Sequence, residues 1–397
     1  MRDPLFRMAL ILGLLSAVGP FAIDMYLPAL PQVAADLQTS EATAALTLTA
    51  YFIVFGIAQM IYGPMADAIG RKRPLVVGVV IFLIATVAAS LAPDIGWLIV
   101  ARGVQALGAA TLMVVPRAVI RDMASGPDAA RMMAAIMIVI SISPMLAPLT
   151  GSLVMVWGGW REIFVVLALA ALISLALITC ALPETLAPKD RQPISLSAML
   201  RGAARLLTDR RFMGLTMIGG FGMASFFVFL ATASFVYTRQ YGLSPTGFSI
   251  AFAVNAIGFF SASQFAAKLA TRYGMERVIS LAITGFLAVT AALALLVWAG
   301  ADALVFVVAG LFMANAFLGL VLPTAMVMSL DPHPDIAGLA SSLGGTIQML
   351  TGGAMIAVTG LFLSNTALSM VSAIALCAAL AWVAAALSLP RLRLSLR

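Results

Sequence analysis

A carboxylate buried in a long apolar run is the pattern in this sequence with the most chemistry in it. Asp24 lies in GPFAIDMYLPALP at 19–31, and from Leu5 to Leu30 the only other charged residue is Arg7, at the very start. A run of that length can cross a hydrocarbon core of about 30 Å. An ionisable group in such a span costs at least ~2.5 kcal/mol at the centre and usually faces a cavity or a partner. The chemistry on offer is binding and release of a proton or cation on a transport path. The plainer alternative is a carboxylate near the outer helix end, capping neighbouring backbone.

Arg102 is the matching cation. It enters the fourth apolar run soon after Gly96, while Asp24 is about 28 Å along its helix from Leu5 at ~1.5 Å per residue. Both charges then fall in the outer half, where they can pair directly or through Gln105 or Tyr26, which lowers the cost of burying either. Protonating Asp24 would release Arg102 to a substrate dipole or a rearrangement, a switch with the two states that alternating access requires. The alternative for Arg102 is a cation snorkelling to the outer surface.

Composition sets the frame for these groups. The chain has 397 residues, 62% hydrophobic and only 10% charged, with a mean hydropathy of +1.08; this is a polytopic membrane protein, not a soluble domain. The net charge of +7 is spread over short basic runs between apolar segments, the pattern of cytoplasmic loops rather than of a nucleic-acid surface. Cys180 and Cys377 both lie in apolar runs and imply no disulfide framework, and the single histidine, His333, has no nearby ligand with which to build a metal site. The N-terminal run is too long for a cleaved signal peptide and lacks a small-x-small cleavage site. No phosphate loop, metal cluster or nucleophile with a base beside it is present, so the sequence reads as a non-enzyme without cofactor.

Apolar runs of about 20 residues predict twelve helical spans near 5–30, 43–65, 74–93, 97–120, 132–156, 161–182, 212–236, 246–270, 276–299, 303–328, 336–362 and 367–388. They divide the chain into a six-helix bundle at 1–183, a linker at 184–211, and a second six-helix bundle at 212–397 that ends in a short basic tail. Within the linker, Leu196, Met199, Leu200, Ala203, Leu206 and Leu207 repeat at helical spacing with Arg201 and Arg205 off the stripe, predicting a short helix on the membrane surface that tethers the halves. Lys and Arg collect in alternate loops, at Arg71–Arg73, Arg117, Arg121, Arg131, the linker, Lys268, Arg272, Arg277, Arg391, Arg393 and Arg397, with only Arg161 and Arg239 in the opposite loops, which places both termini in the cytoplasm. The chemistry of 66–73 recurs loosely at 270–277, with Gly274 answering to Gly70 and Gln264 to Gln59 about half a chain apart. A duplicated six-helix unit follows, with the central site where the halves face each other.

The loop GPMADAIGRKR at 63–73 resembles the signature between spans two and three of the major facilitator superfamily. In physical terms, Gly63 and Gly70 permit close approach and a tight turn, Asp67 can meet the positive end of the third span, and Arg71 to Arg73 hold the loop in the cytoplasm. Arg102-Gly-Val-Gln105 resembles the family's Arg-x-x-Gln-Gly motif. Ala147-Pro148-Leu-Thr-Gly151-Ser152 resembles its Gly-Pro-x-x-Gly-Gly antiporter motif, in which Pro144 and Pro148 are expected to bend the helix; the alternative is a kinked packing helix with no part in coupling. DMYLPALP at 24–31, YGLSPTGFSIAFAVNA at 241–256 and AGLASSLGGTIQM at 337–349 are similar to the Bcr/CflA group of drug exporters, which includes bicyclomycin- and amphenicol-resistance proteins.

That resemblance implies a major facilitator fold and a monomeric proton-coupled antiporter of the bacterial inner membrane, exporting amphiphilic small molecules. Tyr26, Phe226, Phe227, Phe235, Tyr237, Asn255, Asn315 and Gln348 are the candidate pocket residues, amides for orientation and rings for apolar bulk. A proton-coupled or facilitative metabolite transporter and a non-transporting membrane sensor are the alternative readings.

Overall fold

The computed structural model describes residues 3–362 and 366–389, and its contacts divide the chain into two units, Met1–Ser195 and Leu196–Arg397. The basic tail residues Arg391, Arg393 and Arg397 lie outside the described residues. In the first unit the helices are α1 (Asp3–Asp24), α2 (Leu30–Asp36), α3 (Glu41–Ile69), α4 (Lys72–Ser90), α5 (Ile95–Met123), α6 (Gly126–Gly158) and α7 (Trp160–Cys180). The second unit contains α8 (Leu196–Thr208), α9 (Arg210–Phe235), α10 (Pro245–Tyr273), α11 (Met275–Trp298), α12 (Leu304–Leu330), α13 (Ala337–Phe362) and α14 (Ala367–Ser388).

Among the described residues, eleven helical segments are long and apolar enough to cross a membrane. The twelfth expected span forms as α13, a 26-residue helix at the expected place. The first span corrects its sequence boundary. It runs Leu5–Asp36 rather than ending at Leu30, because Pro28 and Pro31 convert the chain after Asp24 into a turn, a 3-10 segment (Leu27–Ala29) and the short α2 instead of terminating it.

The duplication is visible in the packing. Numbering the spans of each unit one to six, the same pairs pack in both: two with four (α3·α5 and α10·α12), three with four (α4·α5 and α11·α12), one with five (α1·α6 and α9·α13), and three with six (α4·α7 and α11·α14). Local signals repeat as well. The second span of each unit starts on a serine cap, Ser40 accepting from the Thr43 amide at 3.1 Å and Ser244 from the Gly247 amide at 3.1 Å. It ends on a glycine at positive φ, Gly70 at 97° and Gly274 at 84°. In the second unit Ala378, Ala381 and Ala385 of α14 are fully buried against Ile218, Phe286 and Leu318; small side chains permit this close helix approach where lipid offers no hydrophobic drive.

Candidate functional site

Asp24 is the last residue of α1, at the point where the first span breaks. Its side chain is 95% removed from the surface, being 5% exposed, and among the described residues it makes no ion pair and no hydrogen bond. Irregular backbone at membrane depth is tolerated where protein surrounds it. Here the surrounding protein includes α6: a Cβ on Gly151 would stand 2.9 Å from the Met25 carbonyl carbon and 3.2 Å from its Cα. Gly151 therefore lets the antiporter-like motif press against the break beside Asp24. Pro144 and Pro148 both lie inside the uninterrupted α6. We expect Gly151→Val to force these helices apart, costing about 1–3 kcal/mol as overpacking does and suppressing transport while the protein still inserts. Wild-type transport rates in vesicles would show that this contact is dispensable.

Arg102 on α5 is wholly buried. Its Nη1 donates to the Ala22 carbonyl at 2.9 Å and to Gln105 Oε1 at 2.5 Å. Gln105 in turn donates to Thr86 Oγ1 at 2.8 Å, and Thr86 donates to the Phe82 carbonyl at 2.6 Å. Three rings surround the guanidinium, with centroids 4.8 Å (Tyr26), 4.5 Å (Tyr51) and 5.9 Å (Phe164) from Cζ. Cation–ring attraction reaches ~2 kcal/mol or more when desolvated. Among the described residues, Nε and Nη2 of Arg102 and the Tyr51 hydroxyl have no hydrogen-bond partner.

The direct Asp24–Arg102 pair expected from depth is therefore not formed. Position along a helix predicts depth but not azimuth. Arg102 bonds the backbone carbonyl of Ala22, which a helix directs along its axis, so reaching this stretch does not bring the guanidinium to the Asp24 side chain. The two charges instead share a neighbour, since Tyr51 lies within electrostatic reach of both. Tyr26, expected in a substrate pocket, is fully buried, with its hydroxyl 3.2 Å from Thr47 Oγ1. Tyr51, Thr86 and Phe164 were not anticipated; the available signal for Tyr51 and Thr86 was a hydroxyl inside an otherwise apolar span, and Phe164 offered none.

At the other end of the same bundle the loop 63–73 is braced by segments remote in sequence. Arg71 pairs with Asp67 and holds Asp122 of α5 by two bonds, Nε to Oδ2 at 2.7 Å and Nη2 to Oδ1 at 3.2 Å. Thr185 donates to Asp122 Oδ2 at 3.0 Å. Asp67 thus pairs with Arg71, and it is Glu184 that takes up the start of α4. Its carboxylate accepts the amides of Arg71 (2.8 Å), Leu186 (3.1 Å) and Lys72 (3.2 Å). Gly70 is required here, for a Cβ would lie 2.9 Å from the Glu184 carboxyl carbon and its φ is positive. Gly63, in contrast, has nothing within 4 Å of a built Cβ, so the close approach expected there does not occur. Arg73 is exposed.

Burial opposes the charge on Glu184, but the amides of Arg71, Leu186 and Lys72, helped by Arg191, hold its carboxyl below the ordinary range. A folded value below the unfolded ~4.3 means that its stabilisation is complete above that pH and fades as pH falls through the lowered value. Glu184→Ala should cost about 1 kcal/mol, the typical worth of a helix cap, and should flatten the acid limb of a melting-temperature profile in detergent. An unchanged profile would contradict the cap.

In the second unit the pocket candidates scatter. Phe226 stacks on Phe259 at 6.1 Å and contacts Phe227 and Phe252, while Tyr237 meets Phe229 and Phe248 edge-on. Phe227 also fills the space over Gly352, a packing role. Phe235 is buried outside this ring cluster. Asn255 donates to its own helix at Ala251, 3.0 Å away, and its side chain lies within reach of the Tyr237 hydroxyl, bringing these two candidates together. Asn315 is buried on α12, and Gln348 of α13 lies against Gly219.

Two duplicated bundles of apolar helices, with a broken first span and a buried ionic site in one of them, define a polytopic membrane transporter. The family model of the Major Facilitator Superfamily matches residues 12–357, and the chain belongs to that family. It is 31% identical over 356 residues to an uncharacterised MFS-type transporter YdgK of Bacillus subtilis, covering 89% of this chain and 88% of that one. It is 28% identical over 378 residues to a bicyclomycin resistance protein homolog of Haemophilus influenzae (94% and 93% covered), and 30% identical over 302 residues to a chloramphenicol resistance protein of Pseudomonas aeruginosa (75% and 70%). A solved bacterial homolog of the lysosomal transporter Spinster shares the fold at a TM-score of 0.75 and 15% identity, covering 98% of this chain and 97% of that one.

Proposed function

We propose that this protein is a proton-coupled exporter of amphiphilic small molecules, working by alternating access in the bacterial inner membrane with both termini in the cytoplasm. The observation that carries this reading is Asp24: an unpaired, buried carboxylate at the break of the first span, two residues from the carbonyl that holds a buried arginine. Such a group can take up a proton without first losing an ion-pair partner, and its cost of burial in the charged form gives the proton a reason to stay. The names of the relatives, which specify resistance to bicyclomycin and to chloramphenicol, support drug-like molecules as cargo. The protein works as a monomer, and a proton gradient replaces any cofactor.

Everted membrane vesicles acidified inside by respiration test this. Adding chloramphenicol or bicyclomycin should draw protons out of the lumen as the drug enters it. If no drug moves protons while a metabolite does, the protein is a metabolite transporter and the exporter reading fails.

A further inference from the structure

Helix α8 carries an apolar stripe of which only half is covered. Leu206 is fully buried, Met199 and Ala203 are partly so, and Gly202 lies against Leu339 of α13. The adjoining edge is open: Leu196 is 64% exposed, Leu200 62% and Leu207 50%, with Ile194 just upstream at 54%. Arg201, about 100° round α8 from Leu200, and Arg210, the first residue of α9, are both exposed and without an ion-pair partner among the described residues.

The position of this edge is fixed by two features. A single residue, Asp209, separates α8 from the spanning helix α9, and it caps α9 by accepting the amides of Arg211 (2.7 Å) and Phe212 (3.1 Å). The open edge thus adjoins the N-terminal end of a helix long and apolar enough to span a membrane. Two contacts then clip α8 to the 331–336 turn between α12 and α13: Arg205 with Asp335 at 2.7 Å, and Asp209 with the buried His333 at 2.9 Å. Leucines in one row with free arginines nearby, at the end of such a helix, match the apolar-plus-cationic chemistry of an interfacial helix.

We propose that the exposed edge of α8 is a docking surface for an anionic bilayer leaflet, with Leu196, Leu200 and Leu207 among the acyl chains and Arg201 and Arg210 on lipid phosphates. Through its two clips, this surface couples lipid charge to the α12–α13 turn. The inference is independent of which solute is carried. Each arginine should contribute roughly fivefold to anionic-lipid preference, on the scale of one basic residue near a charged leaflet.

The test is a nitroxide on Leu200→Cys, in full-length protein with Cys180→Ser, reconstituted into phosphatidylcholine vesicles with or without phosphatidylglycerol. Collisions with oxygen should exceed those with a water-soluble nickel chelate, and phosphatidylglycerol should increase the contrast. In the same protein carrying Arg201→Gln and Arg210→Gln, the phosphatidylglycerol effect should be lost while the label stays reachable by oxygen. Dominant nickel collisions would mean that the edge faces water, and a label reached by neither reagent would mean that protein covers it. Either result overturns the proposal, as does a phosphatidylglycerol effect that survives the double substitution.

Discussion

Asp24→Asn should fold and insert like the wild type yet fail to build a drug gradient. The amide keeps the shape of the carboxylate and relieves the cost of a buried charge, so stability should hold or rise. What disappears is the only acidic group well inside a span. With one proton exchanged for a neutral drug, the potential contributes ~2.3 kcal/mol per 100 mV. At about 1.4 kcal/mol per tenfold this sustains a gradient of roughly 50-fold, and each pH unit adds a further tenfold. The mutant should lose all of this and equilibrate the drug at best. The measurement is steady-state drug accumulation in everted vesicles under a defined potential and pH step, with melting temperature as the folding control. Accumulation equal to wild type would remove Asp24 from the mechanism.

Arg102→Lys should also fail, although it preserves the charge. Nη1 of the guanidinium bonds both the Ala22 carbonyl and Gln105 while the plane of the group lies over Tyr51 and Tyr26. A strongly hydrated ammonium on a different stem offers a point charge in place of that plane. Losing one charge-assisted bond and part of the ring attraction is worth about 3 kcal/mol, or roughly a hundredfold in rate if the site is needed in the transport transition. Initial export rates of the lysine variant, normalised to the amount of folded protein, check this. A rate within twofold of wild type would show that charge alone suffices and that the planar cage is packing.

Much of the fold is legible in the sequence because membrane insertion imposes rules that act locally. Span lengths, serine caps and the glycines at 70 and 274 are decided within a few residues, and the structure realises them in both units. The end of the first span was less legible, since two prolines usually signal a stop and here only interrupt an apolar segment. The site was half legible. Asp24, Arg102 and Gln105 stand out as polar residues in apolar runs, but the azimuth that separates Asp24 from Arg102 and the ring cage of Tyr51 and Phe164 arise from packing between helices. The brace on the 63–73 loop was not legible at all. Glu184 is more than a hundred residues from Arg71 in sequence and lies in no periodic pattern, and the open space at Gly63 follows from helix packing that no local pattern encodes.

The central claim is that drug and proton compete through Asp24. The most direct measurement of it uses purified protein in detergent and weak buffer, with a pH indicator reading protons released when chloramphenicol or bicyclomycin is added. The account predicts about one proton released per drug bound by the wild type, and none by Asp24→Asn at matched occupancy. Undiminished proton release by Asp24→Asn, or saturating drug binding to the wild type with no release at any pH, would contradict it.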